Sequence, residues 1–228
     1  MRKNKPSAFT LIELLVVIAI IAVLASFAVP AITSALVKGQ LVGTVNNARQ
    51  YFLAGYQMAL DGNTNADINY NWPGDYNPAV TTLSAYSSKL VTNQYLKTGD
   101  LAKLLSGPGA IVGATSTTDA SGVTSVTLTG TPGLKVYEIK DGDSANTIFA
   151  VSANYTYNTA LTTTTSPFGD KGFVVIRKGG DCLSLRKNNA LAANYANASA
   201  FQSAVGKLTG DVDGTLGTES SALVLAFP

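Results

Sequence analysis

The 228-residue sequence has no histidine and one cysteine, Cys182, and only 13% of its residues are charged. Without histidine, the commonest general base and the commonest transition-metal ligand are both missing. A lone cysteine makes no internal disulfide, so an exported form of the chain has no covalent staple. Cys182 falls at the edge of an apparent strand and reads as a small buried hydrophobe rather than a reactive thiol. An excess of one charge sign is missing too. Sixteen basic and fourteen acidic residues give +2, too balanced for a nucleic-acid binder, and no nucleic-acid partner is expected. Three of the basic residues, Arg2, Lys3 and Lys5, crowd into the first eight positions and leave the remainder close to neutral.

What the chain does have is one long apolar run. Met1 to Ala8 is short, basic and broken by Pro6; Phe9 then opens FTLIELLVVIAIIAVLASFAVPAI, and from Leu14 to Ile32 the only polar side chain is Ser26. At helical rise those roughly 19 positions cover about 28 Å, near the hydrocarbon thickness of a bilayer. A positive flank before the span and none directly after it predicts a cytoplasmic N-terminus and a translocated remainder. An ordinary secretory signal shares the basic start and apolar run, but its core rarely tolerates an acid, and Glu13 sits inside this one with only Val23-Leu24-Ala25 as a loose cleavage match. A plain anchor leaves Glu13 unexplained, because an ionised side chain in a bilayer costs at least about 2.5 kcal/mol and needs a partner. Glu13 is one helical turn from Phe9. A cut before Phe9 would create an α-amino group at the right depth, and in an assembly Glu13 of one subunit could neutralise the terminal amine of its neighbour and set the register between helices.

Ala8-Phe9-Thr10-Leu11-Ile12-Glu13-Leu14-Leu15 resembles the cleavage and methylation motif of type IV prepilins and type II secretion pseudopilins. The resemblance implies that a prepilin peptidase cuts between Ala8 and Phe9, that the new amine of Phe9 is methylated, and that Glu13 guides assembly. Pro30 matches a family proline that bends the long helix. Ala8 departs from the pattern, which has Gly before the cut. The resemblance covers about the first sixty residues and implies these partners: the peptidase, membrane lipid before assembly, an inner-membrane assembly platform, and self and other pilin-like subunits in a helical filament. It places the protein as a single-pass inner-membrane precursor and then as a periplasmic or cell-surface filament. Of the two branches, lack of a disulfide pair favours the secretion pseudopilin over a type IV pilin for adhesion, motility or DNA uptake. A membrane-anchored extracytoplasmic binding domain is the competitor outside the class.

The helical pattern continues past the membrane. Ile32, Leu36, Val42, Val45, Phe52, Tyr56 and Leu60 recur at three- and four-residue steps or their sums, an apolar stripe that predicts one helix from Phe9 to about Leu60, with Gly62 as C-cap and a kink at Pro30. Beyond it, turn chemistry at Trp72-Pro73-Gly74-Asp75 is followed by short helices around 83–91 and 101–105. Strands are predicted at 123–128, 134–140, 146–153, 172–178 and 182–187. Asp141-Gly142-Asp143 and Gly179-Gly180 read as hairpin turns. Residues 189–208 read as helical and 221–227 as a returning strand. The expected class is α+β, pilin-like: a long N-terminal helix packed on an antiparallel β-sheet. The expected division is a leader (1–8), a transmembrane and assembly helix (9–32), the amphipathic half of that helix (33–61) and a globular head (62–228).

Catalytic motifs are fragmentary. Ser184-x-x-Lys187, Ser152-x-Asn154 and Lys97-Thr98-Gly99 mimic acyl-enzyme elements, but in reversed chain order and with the serine in a strand, so no enzyme is expected. No cofactor is expected, with calcium the one ion the sequence leaves open. Asp61-Gly62-Asn63-Thr64-Asn65-Ala66-Asp67 alternates oxygen ligands, and Asp211-Val212-Asp213-Gly214 with Glu219 downstream does so less completely; both read first as solvated turns. The resemblance favours the second cluster, since major pseudopilins carry calcium in a C-terminal loop. Tyr51, Tyr56, Tyr70, Tyr76 and Trp72 suggest packing before sugar binding or adhesion.

Overall fold

The structure, a computed structural model, describes residues 10–228. Ala8 and Phe9 lie outside the described residues. Two compact units divide the chain, Met1–Gly39 and Gln40–Pro228.

Helix α1 spans Leu11–Asn65 and supplies residues to both units. In the first unit its side chains are exposed from Leu11 through Leu36, including Leu11 at 88% and Phe27 at 76%. An 18-residue window there reaches a mean hydropathy of 2.9 with none of it buried. Pro30 lies inside the helix, and the Thr33 hydroxyl donates to its carbonyl at 2.9 Å.

In the second unit, α1 packs with a four-stranded antiparallel sheet in the order β3 (Leu134–Val136), β4 (Ile148–Ser152), β5 (Phe173–Arg177) and β6 (Cys182–Leu185). The hairpin at 179–180 forms as its turn residues predict, with Ile176 paired to Cys182. β3 and β4 also pair, but their ladder ends at Val136–Ala150, so the predicted strand 134–140 stops at Val136 and 141–143 lies within a longer loop. β4 and β5 are buried at every position, which explains their continuous apolar runs in place of alternation. Where the helix meets the sheet, Phe149 of β4 stacks on Tyr51 (6.2 Å) and lies edge-on to Phe52 (5.4 Å) and Trp72 (5.9 Å). Such pairs add about 0.5–1.5 kcal/mol beyond burial. Trp72 is thus the anchor of the loop that follows the helix.

A separate two-stranded sheet, β1 (Val112–Thr118) with β2 (Thr124–Gly130), packs on α2 (Leu83–Thr92) and α3 (Thr98–Leu105). One face of α2 closes the outer edge of β2 with hydroxyls. Ser84, Ser88 and Thr92, four residues apart, accept the N–H groups of Leu128 (3.3 Å), Val126 (2.7 Å) and Thr124 (3.0 Å). These are donors that a sheet edge otherwise leaves open.

Several expectations need correction. The buried face of α1 in this unit is Leu41, Thr44, Ala48, Tyr51, Phe52, Ala54, Gly55, Met58, Ala59 and Gly62. Of the predicted stripe only Phe52 is buried; Val42 (56%), Tyr56 (44%) and Leu60 (50%) are exposed. That face mixes small residues such as Ala48, Gly55 and Ala59 with the large Tyr51, Phe52 and Met58, so the predicted stripe is not the packed one. Gly62 is not a C-cap. It lies within the helix, and a Cβ there would stand 1.7 Å from the Tyr70 carbonyl oxygen. The helix ends one turn later in a Schellman closure: Ala66 takes φ +53° and Asp67 N–H donates to Gly62 O at 3.0 Å. β1 was not anticipated, because Val112 is its one fully buried side chain and it carries no alternation. Residues 189–208 hold only α4 (Ala198–Ala204) after two short 3-10 turns. The last segment makes isolated bridges, Val224 to Tyr137 and Ala226 to Thr82, rather than a strand.

Two outcomes follow from this packing. Gly62→Ala should destabilise by about 2 kcal/mol or more, because a backbone carbonyl cannot yield. Gly43→Ala, with nothing within 4 Å of its Cβ position, should instead gain about 0.5–1 kcal/mol of helix propensity. Thermal unfolding of the detergent-solubilised chain measures both. Burial also raises the pKa of Tyr51, Tyr86, Tyr137, Tyr155 and Tyr157. Above pH about 10 the unfolded phenols lose protons that the folded ones keep, so stability present below that pH falls by about 1.4 kcal/mol per pH unit per tyrosine. The share of tyrosinate absorbance that belongs to these five of the ten tyrosines should therefore appear together with alkaline unfolding, not before it.

Candidate functional site

The N-terminal end of α1 is built from its first polar residues. Thr10 precedes the helix, and its hydroxyl accepts the Glu13 N–H at 3.3 Å while Glu13 Oε2 accepts the Thr10 N–H at 2.8 Å and the Thr10 hydroxyl at 2.8 Å. This is a capping box, in which N-cap and N3 side chains satisfy backbone donors that the helix start leaves open. The signal was present in Thr10-Leu11-Ile12-Glu13, but reading Glu13 only as an assembly group overlooked it. The acid in the apolar run therefore has a partner within its own chain. Pro30 lies seventeen residues further along the same helix.

The calcium candidates are differently arranged. Asp61, Asn63 and Asn65 are helical, so their oxygens do not converge as a loop's would. Asp61 accepts the Tyr95 hydroxyl, Asn63 donates to Asp141 (3.2 Å), and Asp67 accepts the Asn69 N–H (2.9 Å). In the C-terminal cluster, Asp211 Oδ2 accepts the N–H groups of Leu208 (3.3 Å) and Gly217 (3.2 Å), and Asp213 pairs with the Lys207 ammonium at 2.8 Å. The Gln202 amide holds the same turn through Val212 O, Thr215 O and the Gly214 N–H. Glu219 points elsewhere. Its carboxylate accepts from Lys135 Nζ (2.5 Å), the Tyr137 hydroxyl (2.7 Å) and the Tyr157 N–H (2.8 Å). Among the described residues no group of three or more Asp, Glu, Cys or His side chains converges.

Glu219 is instead an anchor. From it the chain runs along the edge of β3, where the Glu138 N–H donates to Leu223 O (2.9 Å) and the Leu225 N–H to Val136 O (2.8 Å). It then bonds Thr81 and Leu83 through Ala226. The acyl-enzyme fragments do not meet as a site: Ser152 Oγ accepts the Val174 N–H (2.9 Å), Asn154 donates to Gly169 O and Gly172 O, and Lys187 pairs with Asp170 (2.9 Å). Cys182 is half-buried, not buried, with its thiol 3.6 Å from Gly180 O; burial pushes the thiol pKa up, which disfavours the reactive thiolate. Asp75 of the Trp72 turn accepts the Asp141 N–H at 2.6 Å, and burial raises its carboxyl pKa.

Residues 3–29 match the prokaryotic N-terminal methylation motif, the prepilin-type signal for cleavage and methylation typical of type IV pilins and pseudopilins. Compared with curated proteins and with solved structures, the chain finds no match. Together with this motif, the long N-terminal apolar helix and the antiparallel sheets give the chain an α+β, pilin-like architecture. The motif implies processing by prepilin peptidase and pilin-like assembly, and the apolar helix is consistent with a membrane-anchored prepilin.

Glu219→Ala would leave the Tyr137 hydroxyl, the Lys135 ammonium and the Tyr157 N–H without their acceptor. An unpaired buried donor costs about 1–3 kcal/mol. Limited proteolysis should then cut C-terminal to residue 209 at least tenfold faster, while Asp213→Ala, which removes an exposed partner, should change the rate little.

Proposed function

We propose that this chain is a subunit of a type II secretion pseudopilus. Residues 1–8 are its leader, prepilin peptidase cuts between Ala8 and Phe9, and the amine of Phe9 is methylated. The segment 9–32 crosses the membrane before assembly and forms the filament core after it. Residues 33–61 continue the helix, and 62–228 form the head outside the inner membrane. The observation that carries the proposal is the apolar helix from Leu11 to Leu36, exposed throughout and interrupted at its start by one acid. Such a surface needs lipid or like helices around it. Val42, Leu53, Tyr56 and Leu60 extend the exposed apolar surface beyond the span, where neighbouring subunits would cover it.

The pseudopilin branch is preferred because the C-terminal segment is fastened without a disulfide, through Glu219 and backbone bonds to the edge of β3. The second reading is a type IV pilin for adhesion, motility or DNA uptake. Deleting the gene separates them: folded substrates stalled in the periplasm support the first, and loss of surface filaments with normal secretion supports the second.

Glu13 has two roles to distinguish. As a cap it needs only a hydrogen-bonding side chain at N3, which Gln supplies. As the partner of a terminal amine it needs its charge. Glu13→Gln should be inserted and cut normally yet assemble at least tenfold less well, and Glu13→Val should behave the same. Intact mass of the mature protein should show a start at Phe9 carrying one methyl group. If Glu13→Gln assembles normally, the carboxylate is a cap alone.

A further inference from the structure

A polar cleft of about 370 Å³ opens between the loop after α1, helix α2 and the start of β2, lined by Asp67, Asn69, Tyr70, Lys89, Asn93 and Ser125 among others. Its polar groups are unevenly used. In the wall, the Ser88 and Thr92 hydroxyls are spent on β2. Asp67 Oδ1 accepts the Asn69 N–H and side-chain amide, both at 2.9 Å, while Oδ2 has no hydrogen-bond partner among the described residues. The Lys89 ammonium stands 5.4 Å above the Tyr76 ring, and no carboxylate of a described residue is within ion-pair distance of it. One anion and one cation thus face the same opening without neutralising each other.

The walls are held by contacts behind them. The Tyr76 hydroxyl donates to Asn69 O (3.0 Å) and accepts the Asn71 N–H (3.2 Å), which fixes the loop. The Tyr70 ring meets Tyr95 edge-on at 6.2 Å, and the Asn93 amide lies 3.8 Å from Met58 Sδ. A cleft fixed in advance spends little of a ligand's binding energy on ordering.

We propose that this cleft binds a neutral saccharide. A ligand with a net negative charge meets Asp67, and one with a net positive charge meets Lys89, within one small opening. A sugar hydroxyl avoids both conflicts, because it donates to the free carboxylate oxygen and accepts from the ammonium. Tyr70 and the half-exposed Val123 supply apolar surface for the C–H groups of a ring. The volume lies at the small end of ligand sites and suits a mono- or disaccharide. This inference does not depend on which filament the chain builds.

The test uses the full chain in a detergent without a sugar headgroup, titrated calorimetrically with glucose, galactose, N-acetylglucosamine, maltose and lactose. At least one should bind saturably. Asp67→Asn and Lys89→Met, which keep side-chain volume, should each weaken binding about tenfold or more with unchanged unfolding temperature. Raising salt should leave the affinity within about twofold, as for a neutral ligand. The proposal is overturned if none of the sugars binds at concentrations up to about 20 mM, which corresponds to only roughly 2 kcal/mol of binding free energy. It is overturned equally if binding survives the Asp67 and Lys89 substitutions, or if glycine or dialanine binds instead with a steep salt dependence, which would mark a zwitterion site.

Discussion

Helix α1 presents apolar side chains to every side over the first unit, and no described residue of that unit covers them. At roughly 25 cal/mol per Å² of apolar surface, leaving such a helix in water is untenable, so its environment must be lipid or other helices. Backbone groups in such surroundings must be paired within the segment. That requirement gives the Thr10–Glu13 box its meaning: it closes the open donors where the helix begins, and it does so with a carboxylate. One acid thus meets a local need of the backbone.

The globular unit meets a different constraint. It has no disulfide to fasten loops, and much of its chain is irregular, so polar side chains tie its segments together. Arg177 is an instance: its buried guanidinium donates to the carbonyls of Ser203 (2.9 Å) and Ala204 (2.5 Å) at the end of α4, where a helix leaves acceptors unmatched. Asn154, Gln202 and Glu219 act similarly on neighbouring loops. Each is a polar residue whose role depends on distant partners.

That dependence decides what could be read in advance. The long helix, α2, α3, the hairpin at Gly179-Gly180 and the buried strands β4 and β5 follow from local pattern, and the sequence shows them. Gly62 is the contrary case. Near a helix end a glycine reads as a cap, but here it admits the Tyr70 carbonyl, a contact eight residues away that no local rule supplies. The packed face of α1 likewise mixes small and large residues and is set by the partners it meets, not by its most apolar stripe. The motif residues at the N-terminus were legible because their chemistry is contiguous; the partners of Asp211, Asp213 and Glu219 were not, because a carboxylate in a turn looks the same whether it faces a cation, a lysine or a backbone N–H.

Those last three carboxylates also bear on how the end of the chain is secured. A calcium site would need them to point at one place. Instead Asp211 turns to two backbone N–H groups, Asp213 to the Lys207 ammonium and Glu219 to a lysine, a tyrosine and a backbone N–H. Asp211 and the Gln202 amide hold the turn through its backbone groups, whereas a metal would make that turn depend on ion supply. The tail then reaches the edge of β3 already aligned, and its backbone bonds to Val136 and Glu138 occupy groups that an open sheet edge would expose to other chains. Fastening the last segment therefore also closes one edge of the sheet.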